Sequence, residues 1–118
     1  MAKDDMEVII YKILSYLYEC SRNGKVPMFE DMAPTCDMFN IPERYWNQIM
    51  EELIDNGYTR GVMEVSSTTG MEIKLTEKAG ITIKGAEYLK ENSRMRFVAE
   101  FLGKGFELLL SSLVAALK

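Results

Sequence analysis

The stretch that most constrains this chain runs from Asn40 to Gly61, NIPERYWNQIMEELIDNGYTRG. Tyr45, Trp46, Ile49, Met50, Leu53 and Ile54 recur as adjacent pairs every four residues, and Glu43, Arg44, Asn47, Gln48, Glu51, Glu52, Asp55 and Asn56 fill the positions between them. That period gives a helix over 42–56 with one apolar and one wet face. Pro42 suits its first turn, where a missing N–H costs nothing. Gly57 suits a left-handed stop, after which Tyr58 packs back on Leu53. An alternating pattern follows at once. A helix delivered into a β-ribbon limits the fold to a few α+β arrangements, and the winged helix-turn-helix is the foremost of them.

Asp4 and Glu7 stand at capping-box spacing at the head of a helix over 4–22. Ile9, Ile10, Ile13, Leu14, Leu17 and Cys20 fill its apolar face, with Lys12, Ser15, Glu19 and Arg22 as the wet stripe. Phe29, Met32, Cys36 and Phe39 give a weaker helical face over 29–39, interrupted by Pro34. Strands are expected over 58–65 and 71–76, where Met71, Ile73 and Leu75 alternate with Glu72, Lys74 and Thr76. The SSTTG tip between them carries no charge. A loop at 77–80, a third short strand at 81–83 and a helix over 84–92, with Thr82 as its cap, complete a winged-helix domain over residues 1–93. Its wing sheet is then three-stranded and antiparallel, and its core sets Trp46, Ile49, Met50 and Leu53 against Ile9, Ile13 and Leu17.

Residues 94–118 are different in kind. Between Met95 and Leu117 only a narrow stripe, Glu100, Lys104, Glu107 and Ser111, is polar. A helix apolar over most of its circumference needs a cover. The charges count against a membrane span, so this C-terminal helix is read as a self-association element that makes a homodimer or higher homo-oligomer. Phe97, Phe101, Leu109, Leu113 and Leu117 are the candidate contacts, and Gly105 permits close approach. Peripheral membrane association is the lesser alternative.

Composition removes several chemistries. There is no histidine, and the two cysteines, Cys20 and Cys36, are too few for a zinc cage. No phosphate loop or nucleophile elbow is present, so no catalytic, cofactor-binding or metal residues are assigned and the chain is read as a non-enzyme. The N-terminus MAKDDMEV has no signal-peptide character, and the cysteine usage fits the cytoplasm. The net charge of −4 divides into −6 over residues 1–57 and +2 over 58–118. In a DNA-binding reading, Arg44, Asn47 and Gln48 face base edges while Arg60 and Lys74 meet phosphates. The same helix carries Glu43, Glu51, Glu52 and Asp55, which a duplex repels. A protein-binding or assembly module, its protein partner unnamed, is therefore placed ahead of a DNA-binding transcriptional regulator.

Three segments carry a family resemblance: DDMEVIIYKILSYLYEC, IPERYWNQIMEELIDNGYTRG and ITIKGAEYLKENSRM. In this order they resemble the YjcQ-like proteins of Gram-positive bacteria and their phages, over roughly residues 4 to 96. The resemblance implies a winged-helix domain of four helices and three strands, often prophage-encoded, with a suggested link to phage heads for viral members. It supplies no catalytic or ligand residues. The apolar tail beyond Arg96 departs from the shorter family pattern.

Overall fold

The computed structural model describes residues 1–118 as an α+β fold of five helices and one two-stranded antiparallel sheet. Helix α1, Met6–Arg22, runs through the centre of the core with Val8, Ile9, Ile13, Leu14, Tyr16, Leu17 and Cys20 fully buried. The capping box expected from Asp4 and Glu7 is not formed. Asp5 occupies the cap position, its carboxylate accepts the Ala2 N–H at 2.9 Å, and Glu7 pairs instead with Arg94 at 2.6 Å.

The second helix is much shorter than the expected 29–39. It is a single turn, α2, Phe29–Met32. Ala33, the residue before Pro34, is extended (φ −66°, ψ 165°), the conformation that a following proline ring favours. The chain then folds back on itself in a tight loop. Cys36 N–H donates to Phe39 O at 2.9 Å and Ile41 N–H to Pro34 O at 3.0 Å. The loop still drives Met38, Phe39 and Ile41 into the core; of the four residues at helical spacing, Met32 and Phe39 are buried, Cys36 is half-buried and Phe29 is 38% exposed.

Helix α3, Glu43–Asp55, forms where the dominant stretch placed it, with Trp46, Ile49, Met50 and Leu53 buried in one cluster with Ile9, Ile13 and Leu17. Its end is a Schellman motif: Tyr58 N–H donates to Leu53 O and Gly57 N–H to Ile54 O, each at 3.0 Å. The chain passes directly into strand β1, Thr59–Ser67, and through the Thr68-Thr69 turn into β2, Gly70–Ile81.

The sheet differs from expectation in two ways. Pairing runs regularly from Ser67↔Gly70 to Val62↔Leu75, breaks, and resumes at Arg60↔Gly80. Thr76, expected to end a strand, and Glu77 to Ala79, expected as loop, therefore bulge opposite the single residue Gly61 within one long strand. The third strand at 81–83 is absent, leaving a two-stranded sheet. Ile81 ends β2 and Thr82 turns the chain into helix α4, Ile83–Glu91, by accepting the Gly85 N–H at 3.0 Å. Thr82 also donates its own N–H to Tyr58 O at 3.1 Å, which ties the helix start to the exit of α3. Gly85 is required at this crossing, because a Cβ there would lie 2.1 Å from Tyr58 O.

Asn92 caps the last helix, α5, Ser93–Ala115, through the N–H groups of Arg94 and Met95. The expected continuous helix over 95–117 is instead two helical halves joined at Gly103 (φ 64°, ψ −156°). The break folds the second half onto α1. Phe106, Leu110, Val114 and Leu117 enter the main core, and the Tyr11 and Phe106 rings meet at 5.9 Å. This covers half of the expected wet stripe of α1, Lys12 and Ser15, and leaves Arg22 exposed. Lys12 is only 9% exposed, donating to Met38 O at 2.8 Å, and Ser15 is buried beside it. Lys25 Nζ bonds Leu117 O at 2.8 Å and fastens the far end. No helix is long and apolar enough to cross a membrane.

Candidate functional site

A groove of about 870 Å³ lies between the segment Val26–Phe29, the start of α3 and strand β2. Its α3 wall is Glu43, Trp46 and Asn47, and Pro34, Thr35 and Ile41 close one side. On the other side, all seven residues from Met71 to Glu77 line it. A sheet face contributes alternate residues only. Seven in succession mean that the groove runs along the backbone edge of β2, the edge away from β1.

The groove wall is held by interactions of the α1–α2 region. Trp46 is 2% exposed, its indole N–H donates to Met32 O at 2.8 Å, and Phe29 meets its ring edge-on at 5.6 Å. Behind them the Tyr16 hydroxyl donates to Asp31 Oδ2 at 2.6 Å and accepts the Met28 N–H at 3.0 Å. Burial, reinforced by the bond to Asp31, pushes the Tyr16 pKa well above the usual tyrosine range, so this anchor is neutral at ordinary pH. Burial likewise pushes the Cys20 thiol up to about 11 and lowers the Lys12 ammonium. None of these three groups lines the groove, and all act as packing and positioning groups of the core.

The groove rim is apolar and acidic. Val26, Phe29 and Met71 are 52%, 38% and 44% exposed. Among the lining residues Glu43, Glu72 and Glu77 are acidic and Lys74 is the one base. The sequence reading missed this site. Its signal was the short run KVPM at 25–28, two apolar residues around a proline that fit no periodic face.

The candidate DNA contacts separate into two groups. Asn47 and Lys74 line the groove, whereas Arg44, Gln48 and Arg60 do not; Arg44, Gln48, Arg60 and Lys74 are exposed and Asn47 is half-buried. The candidate self-association residues separate as well. Phe97 and Phe101 are 54% and 47% exposed on the first half of α5, and Gly105 is open. Leu109 and Leu113 are half-buried against the core, and Leu117 lies inside it. Leu108, not singled out by the sequence reading, is 72% exposed. The physical reason is the Gly103 break, which turns one side of the second half inward.

Comparison with known proteins gives one positive finding. The family model described as YjcQ protein matches residues 11–103. Neither the curated proteins nor the solved structures contain a match to this chain. The matched span runs from Tyr11, within α1, to the Gly103 break, and so includes every wall of the groove. On this evidence the chain belongs to the YjcQ protein family.

Proposed function

We propose that the protein is a non-enzymatic module of winged-helix type that binds other proteins and self-associates through the first half of α5. The observation that carries this reading is the exposed side of α3. It presents Glu43, Glu52 and Asp55, with Glu51 half-buried beside them, against the single base Arg44. The order α1, a loop-rich second element, α3 and a β-hairpin is what supports the winged-helix assignment. In a groove reader the helix in the place of α3 approaches phosphates, and a net negative face there opposes binding. The hairpin tip, Ser66 to Gly70, has no charge to offset it. Exposed apolar side chains at the groove rim and at Phe97, Phe101 and Leu108 instead suit protein surfaces.

Two experiments test the two halves of this reading. A mobility-shift titration with mixed-sequence duplex at about 150 mM salt is expected to show weak retention at most, lost as salt rises. Tight, sequence-selective binding there would establish instead the DNA-binding regulator, with Arg44 and Gln48 as its exposed readers. Light scattering on the full chain is expected to give the mass of a dimer, and the double change Phe97→Ser with Phe101→Ser to give a folded monomer. A monomeric parent chain overturns the self-association half; sedimentation of that monomer with liposomes would point to the membrane surface.

A further inference from the structure

We infer that the groove beside β2 receives an extended segment of a partner protein, added to the sheet as its third strand. The segment is apolar at alternate positions and rich in lysine or arginine between them. This deepens the protein-binding reading above and rests on it.

Hairpin geometry identifies the open bonding groups. A pair flanking a two-residue turn exchanges both its hydrogen bonds, and here that pair is Ser67↔Gly70. Bonded and non-bonded pairs then alternate, so Met71, Ile73 and Leu75 aim their N–H and C=O groups away from β1. No backbone hydrogen bond outside the regular elements involves residues 71–75. Across the groove Lys25 to Met28 forms no strand either. Sheet edges are commonly blunted by proline, by bulges or by lysine. Residues 71–75 hold one lysine and no proline, and the bulge lies beyond them at 76–79.

The occupant's chemistry follows from the walls. A strand laid along Met71–Glu77 spans ~24 Å at strand rise. Its inward side chains meet Ile41, Trp46, Ile73 and the exposed rim at Val26, Phe29 and Met71. Its other positions face Glu43, Glu72 and Glu77 with only Lys74 opposing. That balance selects a basic segment. It also disfavours a second copy docked edge to edge, which would set the same carboxylates against each other. Strand addition to a sheet edge is an established recognition mode, with backbone bonds for affinity and side-chain pockets for specificity.

The test is nuclear magnetic resonance on the isotope-labelled full chain, titrated with a blocked peptide of alternating valine and lysine about eight residues long. The expected result is amide shifts concentrated at Met71–Glu77 together with the Trp46 indole. A valine–glutamate peptide should bind roughly tenfold more weakly or worse. A valine–lysine peptide with a central proline should lose the β2 shifts. Met71→Pro should abolish binding while keeping the fold, since the deleted N–H lies outside the ladder, and Glu72→Lys with Glu77→Lys should reverse the charge preference. The inference is overturned by silence at the β2 amides, by equal binding of the proline-broken peptide, or by concentration-dependent broadening of the same amides without peptide, which would make a second copy the occupant. Duplex DNA shifting α3 amides at about 150 mM salt overturns the protein-binding reading itself. A silent peptide with silent DNA overturns only the strand-addition inference.

Discussion

Tyr16 shows how one side chain ties the groove to the core. Its ring is fully buried and its hydroxyl joins Asp31 to the Met28 backbone. Tyr16→Phe strands both partners, so at pH 7 it should cost about 1–3 kcal/mol, measured by urea melts. The pH dependence has a definite sign. A folded-state pKa raised above the ordinary 10.0 gives stability that is complete below pH 10 and is lost as pH rises further. Cys20, raised from 9.0 to about 11, acts in the same direction and over that window. Lys12 acts oppositely: its pKa is lowered from 10.5, so its burial becomes less costly as pH rises toward that value. The variant should therefore lose less stability than the parent chain between pH 7 and alkaline pH. Parallel slopes for the two proteins would show that Tyr16 ionises as it does in the unfolded chain.

Within α5 two glycines two residues apart have opposite roles. Gly103 (φ 64°, ψ −156°) lies in backbone space open essentially to glycine alone, and the redirected second half depends on it. Gly105 is helical, and a Cβ there meets nothing within 4 Å. Gly103→Ala should cost about 1–3 kcal/mol, whereas Gly105→Ala should gain about 0.5–1 kcal/mol through helix propensity. Thermal or denaturant melts of the two variants decide it. Equal effects would mean that the break is not held by backbone conformation. The same halving decides which residues meet a partner: Phe97 and Phe101 stay outside, while Phe106, Leu110 and Val114 turn inward.

For the whole molecule the consequence is that the C-terminal segment is part of the core. Phe106, Leu110, Val114 and Leu117 are each 5–8% exposed and belong to the cluster that contains α1 and α3. At about 1.5–3 kcal/mol for each large side chain, their loss is comparable with the ~5–15 kcal/mol that stabilises a whole domain. A chain ended after Gly103 should therefore lose cooperative unfolding and bind a hydrophobic dye. Near-ultraviolet circular dichroism and dye fluorescence measure this. A shortened chain that melts as sharply as the parent would restore the picture of a separable tail, which the apolar stripe by itself suggested.

Local pattern was enough to place α1, α3, α4 and the hairpin, because the apolar period is clear in each; at α3 and α4 the punctuating residues agree with it, whereas at α1 the Asp4–Glu7 box does not form. Gly57, Pro42 and Thr82 punctuate the chain where the periodicity starts or stops. Agreement failed where one residue type serves two purposes. Phe29, Met32, Cys36 and Phe39 have helical spacing, yet Pro34 forces Ala33 out of helix and only a loop can bury Met38 and Phe39. Lys12 looks like a solvent residue until Phe106, 94 positions away, closes over it with a lysine–ring distance of 5.8 Å. The groove could not be read locally either, since its walls come from segments as distant as Val26 and Glu77. The sequence by itself determined the main apolar faces of α1 and α3 and the approximate extent of α1, α3, α4 and the hairpin, since those follow from period, turn residues and backbone preference. Only the tertiary structure decided which apolar face covered which, that β2 kept a free edge, and which part of α5 stayed exposed. Those outcomes depend on contacts between residues far apart in the chain, and local periodicity does not encode them.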